Sequence, residues 1–147
     1  MEGLQISPLT PADRPRWTEL WTAYLAFYKT TLPPEQFDHT WARLLAGREL
    51  HGLGARRHGT LIGLTHFLYH PHAWSSSPAC YLQDLFVDAA LRGTGAGRAL
   101  IEAVAVQARQ AGASRLYWLT QDSNAVARQL YDRLARHTGF LRYEYPL

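Results

Sequence analysis

Cysteine and lysine are almost missing from this chain of 147 residues: Cys80 is the only cysteine, and of fifteen lysines and arginines only Lys29 is lysine. A single cysteine excludes an internal disulfide and fits a reducing, cytoplasmic setting. A nucleophilic thiol would need an activating histidine beside it, which the local sequence does not supply, so Cys80 reads as a small buried hydrophobe. No apolar run reaches the ~18 residues needed to cross a bilayer. The opening stretch MEGLQISPLT has neither a basic region nor a hydrophobic segment, so no secretory leader and no membrane partner are expected. Repeats, low-complexity tracts and linkers are also missing, and the expectation is one domain over residues 1–147.

Hydrophobic residues make up 47% and charged residues 18%, the balance of a globular protein. A net charge of +3 favours an anionic ligand, but the basic residues are scattered, which speaks against nucleic acid. Residues 4–8 read as a first strand. Thr10, Pro11 and Asp13 form a helix start, with a cap hydroxyl, a first-turn proline and an acid at the positive end of the dipole. That helix runs to about Tyr28, and a second covers about Glu35–Leu45, closed by Gly47. Strands follow at His51–Arg57 and Thr60–His70, joined at His58-Gly59, and the stretch 71–78, PHAWSSSP, reads as a loop. Cys80–Val87 is a strand, and about Gly95–Ala111 a long helix. Residues 115–120 are a strand, Asn124 to about Thr138 a helix, and Leu141–Tyr145 a last strand. The expected class is α/β (α+β), in the order βααβββαβαβ, with one mixed sheet flanked by helices.

Residues 91–100, LRGTGAGRAL, place glycine at 93, 95 and 97 between a strand and a helix. A helix N-terminus carries unpaired N–H groups and partial positive charge, and glycines let a phosphate approach them. The dinucleotide fingerprint would need glycine where Arg98 stands, and the chain has no Gly-Lys-Ser/Thr triplet for a P-loop. What fits is Arg-x-x-Gly-x-Gly, at Arg92, Gly95 and Gly97. On its own the triplet also reads as a tight turn for helix packing.

With its flanks, YLQDLFVDAALRGTGAGRAL followed by LYWLTQDSNAVARQLYDRLARHTGF, the chain resembles the GNAT N-acetyltransferases, most of all the spermidine/spermine-type and small-amine enzymes. The likeness covers residues 80–140; before residue 70 it rests on element order alone. It implies acetyl-CoA held where two parallel strands, 80–87 and 115–120, splay apart within a mostly antiparallel sheet. The amides of Gly93, Thr94, Gly95, Ala96, Gly97 and Arg98, next to Arg92, would take the pyrophosphate. Backbone groups of Leu85, Phe86 and Val87 would bond the pantetheine arm.

N-acetylation needs a neutral amine, a polarised thioester and a proton for the departing thiolate. Asn124 and Tyr131 lie seven residues apart, on one helix face. The resemblance gives Tyr131 the role of general acid and Asn124 a cofactor contact. Alone, Asn124 reads as an N-cap and Tyr131 as groove filler. Where related enzymes carry Glu-Asp, this strand has Gln83-Asp84. An amide takes no proton at neutral pH, so Asp84 is the candidate base, or else a substrate-binding or structural carboxylate. Alternation puts 83 and 84 on opposite faces unless a bulge re-aims one.

Trp17, Trp21, Tyr24 and Tyr28 form an aromatic stripe down the first helix, read as core with one edge free to wall an acceptor pocket. His66 and His70 share a strand face but stand ~13 Å apart, too far for one tetrahedral ion, so no metal is expected. The function expected is direct acetyl transfer from acetyl-CoA to a primary amine of a small molecule such as a polyamine or amino acid. Protein lysine or N-terminal acetylation is the alternative, and a non-catalytic acyl-CoA-binding module the second. A homodimer is a possible assembly.

Overall fold

The structure is a computed structural model and describes residues 3–147. Five strands form one sheet in the order β1-β2-β3-β4-β5: β1 Leu4–Pro8, β2 His51–Arg57, β3 Thr60–His72, β4 Ser75–Val87 and β5 Arg115–Tyr117. The first four are antiparallel neighbours, and β5 joins β4 in parallel. Helices α1 (Arg14–Phe27) and α2 (Pro34–Ala46) cover one face. Helices α3 (Ala96–Gln110) and α4 (Ala125–Leu134) cover the other. The expected class, a mixed sheet with one parallel pair, is what the chain adopts.

Each face has its own apolar cluster. Trp17, Leu20, Trp21 and Leu25 of α1 and Trp41 and Leu44 of α2 pack on Leu61, Leu64 and Phe86. Leu100, Ile101, Val104 and Ala108 of α3 pack on Leu53, Ile62, Phe67, Cys80 and Leu82. In α3 the spacing of 1, 3 and 4 keeps these residues on one helical face, which is spent on the sheet. Cys80 is fully buried in this second cluster, and burial pushes its thiol up to about 11, which keeps it protonated and inert.

Three boundaries differ from the sequence expectation. The stretch 71–78 is mostly ladder: β3 continues to His72, β4 starts at Ser75, and only Ala73-Trp74 turn. Cross-strand pairing overrides the loop-forming composition there, and Pro71, which has no N–H to give, sits where the register skips. Strand β5 stops at Tyr117 instead of Thr120, because β4 no longer runs beside it. Helix α4 ends at Leu134, and Leu141–Tyr145, expected as a last strand, has no ladder partner among the described residues. A strand needs a neighbour, however well its residues suit one.

The start of α1 is tied to the sheet by a buried ion pair. Arg56 of β2 donates from both terminal nitrogens to the Asp13 carboxylate, at 2.6 and 2.7 Å, and from Nε to Ser7 of β1 at 2.8 Å. Asp13 also accepts from the Thr10 amide at 2.7 Å. The Arg56 hydrogen bond holds the Asp13 carboxyl below the ordinary value, against the opposing effect of burial. A depressed folded-state pKa contributes stability that is present above the ordinary aspartate range and lost as pH falls through the depressed value. Asp13→Asn leaves Arg56 without its counter-charge and is expected to cost roughly 3 kcal/mol in urea unfolding at pH 7. The deficit relative to wild type should shrink below about pH 4. A uniform deficit across pH would contradict this account.

Candidate active site

Strands β4 and β5 run together only through Ala79↔Arg115, Cys80↔Leu116 and Tyr81↔Tyr117. The Tyr81 and Tyr117 rings stack at 4.9 Å, and beyond them the strands part. From Leu82 to Val87 the edge of β4 turned toward β5 therefore has no ladder partner among the described residues. Unpaired backbone of this kind can accept an extended guest as an extra strand. Leu85, Phe86 and Val87 occupy this edge.

The glycine loop lies at the same end. A short 3-10 turn, Ala89–Leu91, leads from β4 into it. Gly93 and Gly95 have φ of +80° and +89°, which side-chain-bearing residues rarely adopt, although the space around both is open. Gly95 caps α3; the first amide to turn back is that of Ala99, donating to the Gly95 carbonyl at 3.0 Å. The N–H groups of Ala96, Gly97 and Arg98 precede any intrahelical bond. Gly97 differs from its two neighbours: a Cβ there would meet Leu130 of α4 at 3.6 Å, an ordinary packing distance. Thr94 donates its hydroxyl to Leu91 and braces the loop. Arg92 lies over the Phe86 ring at 5.4 Å, while Arg98 pairs with Glu102 at 2.9 Å on the exposed face.

The parting of the strands lets side chains from both faces of the sheet meet. Tyr24 comes from α1, Tyr28 from the residue that caps its end, and Tyr131 from α4 on the opposite side. With Leu82, Leu85, Trp118, Leu119 and Thr120 they line a narrow cavity of about 20 Å³. Tyr131 is half-buried against Trp118, with ring centroids 5.5 Å apart. Burial, and secondarily Tyr28, raises its pKa above the ordinary value, so it keeps its proton at neutral pH. Asn124 caps α4, with its amide 3.4 Å from the Thr120 hydroxyl. A larger hollow of about 220 Å³ lies at the β3–β4 turn, bounded by Tyr69, His70, Pro71 and Ser75. Of the residues singled out in the sequence it holds only His70.

Asp84 faces the α1 side because of a bulge. The pairing steps from His66↔Asp84 to Phe67↔Leu82 and leaves Gln83 unmatched. Strict alternation would put Asp84 on the face of Leu82. The extra residue turns it over instead, so Leu82 and Leu85 face α3 while Asp84 faces α1. The buried Thr65 hydroxyl donates to the Asp84 carbonyl at 2.8 Å and steadies the irregularity. Tyr24 donates its phenol proton to Asp84 Oδ1 at 2.7 Å, and His66 Nδ1 lies 3.0 Å from Oδ2. Trp17 Nε1–H donates to the far nitrogen of His66 at 3.1 Å.

The aromatic stripe thus divides. Trp17 and Trp21 are buried core, and Tyr24 and Tyr28 line the cavity. Tyr24 belongs to the stripe edge expected to wall a pocket, and His66 is the site neighbour that residue patterns missed. In sequence His66 is one of three histidines in its strand, set apart only by its apolar neighbours. His70 and His72 point elsewhere, to Tyr117 and Ser114. Among the described residues no three His, Cys, Asp or Glu side chains are grouped as metal ligands would be. No helix among them is long and apolar enough to cross a membrane.

A model described as the acetyltransferase (GNAT) family matches residues 15–135. A D-amino-acid N-acetyltransferase of Saccharomyces cerevisiae, HPA3, is 34% identical over 146 residues, covering 97% of this chain and 91% of that protein. Ribosomal-protein-alanine N-acetyltransferase from Brucella melitensis biovar Abortus 2308 superposes with a TM-score of 0.83 at 26% identity, covering 98% of this chain and 99% of that one. The aminoglycoside acetyltransferase AAC(6')-Iy, solved with a CoA-based bisubstrate analogue, has the same fold at 19% identity and a TM-score of 0.86, covering 98% of each chain. With a strand pair that parts, a glycine-capped helix beside it and a family match over most of its length, the chain belongs to the GNAT family of acetyltransferases and is an N-acetyltransferase enzyme.

Proposed function

We propose that residues 1–147 form a single catalytic domain that transfers the acetyl group of acetyl-CoA directly to the primary amine of a small molecule, with amino acids the first class to test and polyamines the second. The observation that carries this reading is the cavity between β4 and β5, where a phenol from α4 and phenols from α1 and its cap meet beside the glycine-capped start of α3. The amino-acid preference draws on the yeast relative, whose own substrates are D-amino acids by name. The Brucella structure, named for a ribosomal protein, makes a protein N-terminus the second reading.

Each residue then has a defined task. The N–H groups from Gly93 to Arg98 supply donors and partial positive charge for a diphosphate, with the Arg92 guanidinium at the rim. The free edge formed by Leu85, Phe86 and Val87 receives the pantetheine amides as a strand would be received. Asn124, whose amide reaches the Thr120 hydroxyl of the cavity wall, contacts the cofactor. Tyr131, kept protonated by burial, gives its proton to the sulfur as the thioester C–S bond breaks. Asp84 draws the acceptor ammonium and takes part in its deprotonation. Once neutral, the amine attacks the acetyl carbon and no acyl-enzyme forms.

Acetyl-CoA should raise the melting temperature of the wild type, because a ligand of the folded state alone stabilises it. Gly95→Glu puts a carboxylate and an unfavourable positive φ at the phosphate site and should abolish that shift. A folded variant with the full shift would remove the loop from the cofactor site.

Tyr131→Phe keeps the ring and its packing but loses the proton. In a thiol-release assay across amino acids, polyamines and peptides, kcat on the best acceptor should fall roughly 10²- to 10⁴-fold while the KM for acetyl-CoA stays within a factor of a few. Wild-type turnover in this variant would overturn the assignment of the acid.

We also infer a homodimer, in a cytoplasmic setting that fits the single buried cysteine. Phe140, Leu141, Tyr143, Tyr145 and Leu147 are 77–119% exposed, and the outer edge of β5 has no strand partner among the described residues. Leu141, Tyr143 and Tyr145 alternate with Arg142 and Glu144, which gives the segment one apolar face for a second copy. Light scattering should find a dimer, and removal of residues 140–147 should yield a monomer. A monomeric full-length chain would refute the dimer.

A further inference from the structure

The hydrogen-bond chain behind Asp84 contains a residue that the reaction outlined above does not use. His66 is 1% exposed, enclosed by the Trp17 and Trp21 rings at centroid distances of 6.1 and 4.8 Å, with Asp84 on its open side. A histidine in such surroundings must satisfy both ring nitrogens. Its partners leave one arrangement. The indole N–H of Trp17 can only donate, so His66 Nε2 must offer a lone pair to it. The ring proton is therefore on Nδ1, where it is donated to Asp84 Oδ2. The imidazole is neutral, and the carboxylate is its charged partner.

The same accounting fixes Asp84. Its carboxylate accepts from His66 on one oxygen and from Tyr24 on the other, so two donors from two elements hold a side chain that is 13% exposed. Each oxygen keeps a further lone pair, and Tyr24, which is bonded to Oδ1, is itself a wall of the cavity. We propose that His66 is the positioning residue for Asp84: the Trp17 indole selects the Nδ1–H tautomer, and that proton holds the carboxylate in the orientation that receives the acceptor amine. This rests on the acetyltransfer reading given above. His66 touches neither substrate nor cofactor, and the Trp17-His66-Asp84 chain makes one orientation of the carboxylate far better satisfied than any other. Tyr24 contributes the second hold. Burial, and then the Asp84 charge, raises its pKa, so it remains a donor throughout the working range.

Two substitutions separate positioning from bulk. Asn carries an amide N–H that can replace Nδ1–H but does not fill the ring's place; Leu fills space and donates nothing. His66→Leu should lower kcat/KM for the amine about 10- to 100-fold, the kinetic equivalent of one hydrogen bond to a charged group, and leave the KM for acetyl-CoA unchanged. His66→Asn should recover most of that loss. The groups facing Asp84 are His66 from β3, Tyr24 from α1, Tyr28 from its cap and Tyr81 from its own strand, and only His66 is altered.

A measurement independent of activity accompanies the kinetics. The imidazole ¹⁵N spectrum of the wild type should show a protonated Nδ1 and an unprotonated Nε2 for His66 from pH 6 to 9. The opposite tautomer overturns the proposal whether or not His66→Leu folds. So does a folded His66→Leu enzyme with wild-type kcat/KM, or an Asn variant no better than Leu. If the wild type shows the expected tautomer but transfers no acetyl group to any amine, it is the acetyltransfer reading that fails.

Discussion

Strand β4 cannot keep both of its neighbours, and the site depends on that. Through Tyr81 it pairs with β3 on one edge and β5 on the other. Beyond Tyr81 only β3 remains. An interior strand that loses a neighbour exposes backbone donors and acceptors, which is costly unless something pairs with them. It also removes the partition between the two layers of helices. Tyr131 from the α3/α4 layer and Tyr24 and Tyr28 from the α1/α2 layer share a cavity only because the sheet is open at that point. In a continuous five-strand sheet they would be separated by its thickness, about 10 Å of packed side chains.

The bulge at Gln83 adds the polarity. One unmatched residue transfers Asp84 from the α3 face to the α1 face, where Tyr24 and His66 are waiting. The surroundings are otherwise Trp17, Trp21, Trp41 and leucines. A carboxylate beside such a cluster would be expensive if its oxygens were bare. Here each oxygen has a donor, and the histidine behind it has its own. Truncating one member leaves the next unsatisfied, so the chain acts as a unit. The aromatic stripe of α1 serves both purposes: its first two members build the core, and the first also anchors the polar chain.

These features differ in how far the sequence reveals them, and the reason is range. The glycine loop, the Asp13 helix start, the hairpin at His58-Gly59 and the period of α3 are written in residues a few positions apart, and all of them are where the pattern puts them. Asp84 was visible as a carboxylate in a strand, but its direction was not, since a bulge is a property of two strands in register. His66 was legible only as a histidine among apolar neighbours. Its partners lie 18 and 49 residues away. Counting outward from the turn at Ala73-Trp74, where His72 faces Ser75, would bring 66 opposite 81, three residues from Asp84, because the register shifts on the way. The end of the chain was misjudged for the opposite reason. Residues 141–145 have strand composition, but a ladder requires an edge to join, and composition does not provide one.

The two groups proposed to handle protons, Tyr131 and Asp84, are also kept apart electrically. Tyr131 is raised chiefly by burial and then by Tyr28, whereas Asp84 gives its hydrogen-bonding capacity to Tyr24 and His66. A carboxylate bonded directly to the Tyr131 phenol would hold the proton that the departing sulfur needs. It would also spend on that bond the lone pair that an ammonium needs. Placing the acid on α4 and the carboxylate on β4, with Tyr24 and Tyr28 between the two layers, avoids both losses. The opening in the sheet brings Tyr131 into one cavity with Tyr24, the donor to Asp84, and the separate hydrogen-bond partners keep the two groups distinct. Acetyl transfer needs one proton removed from nitrogen and another delivered to sulfur, and under the proposed roles each has its own group.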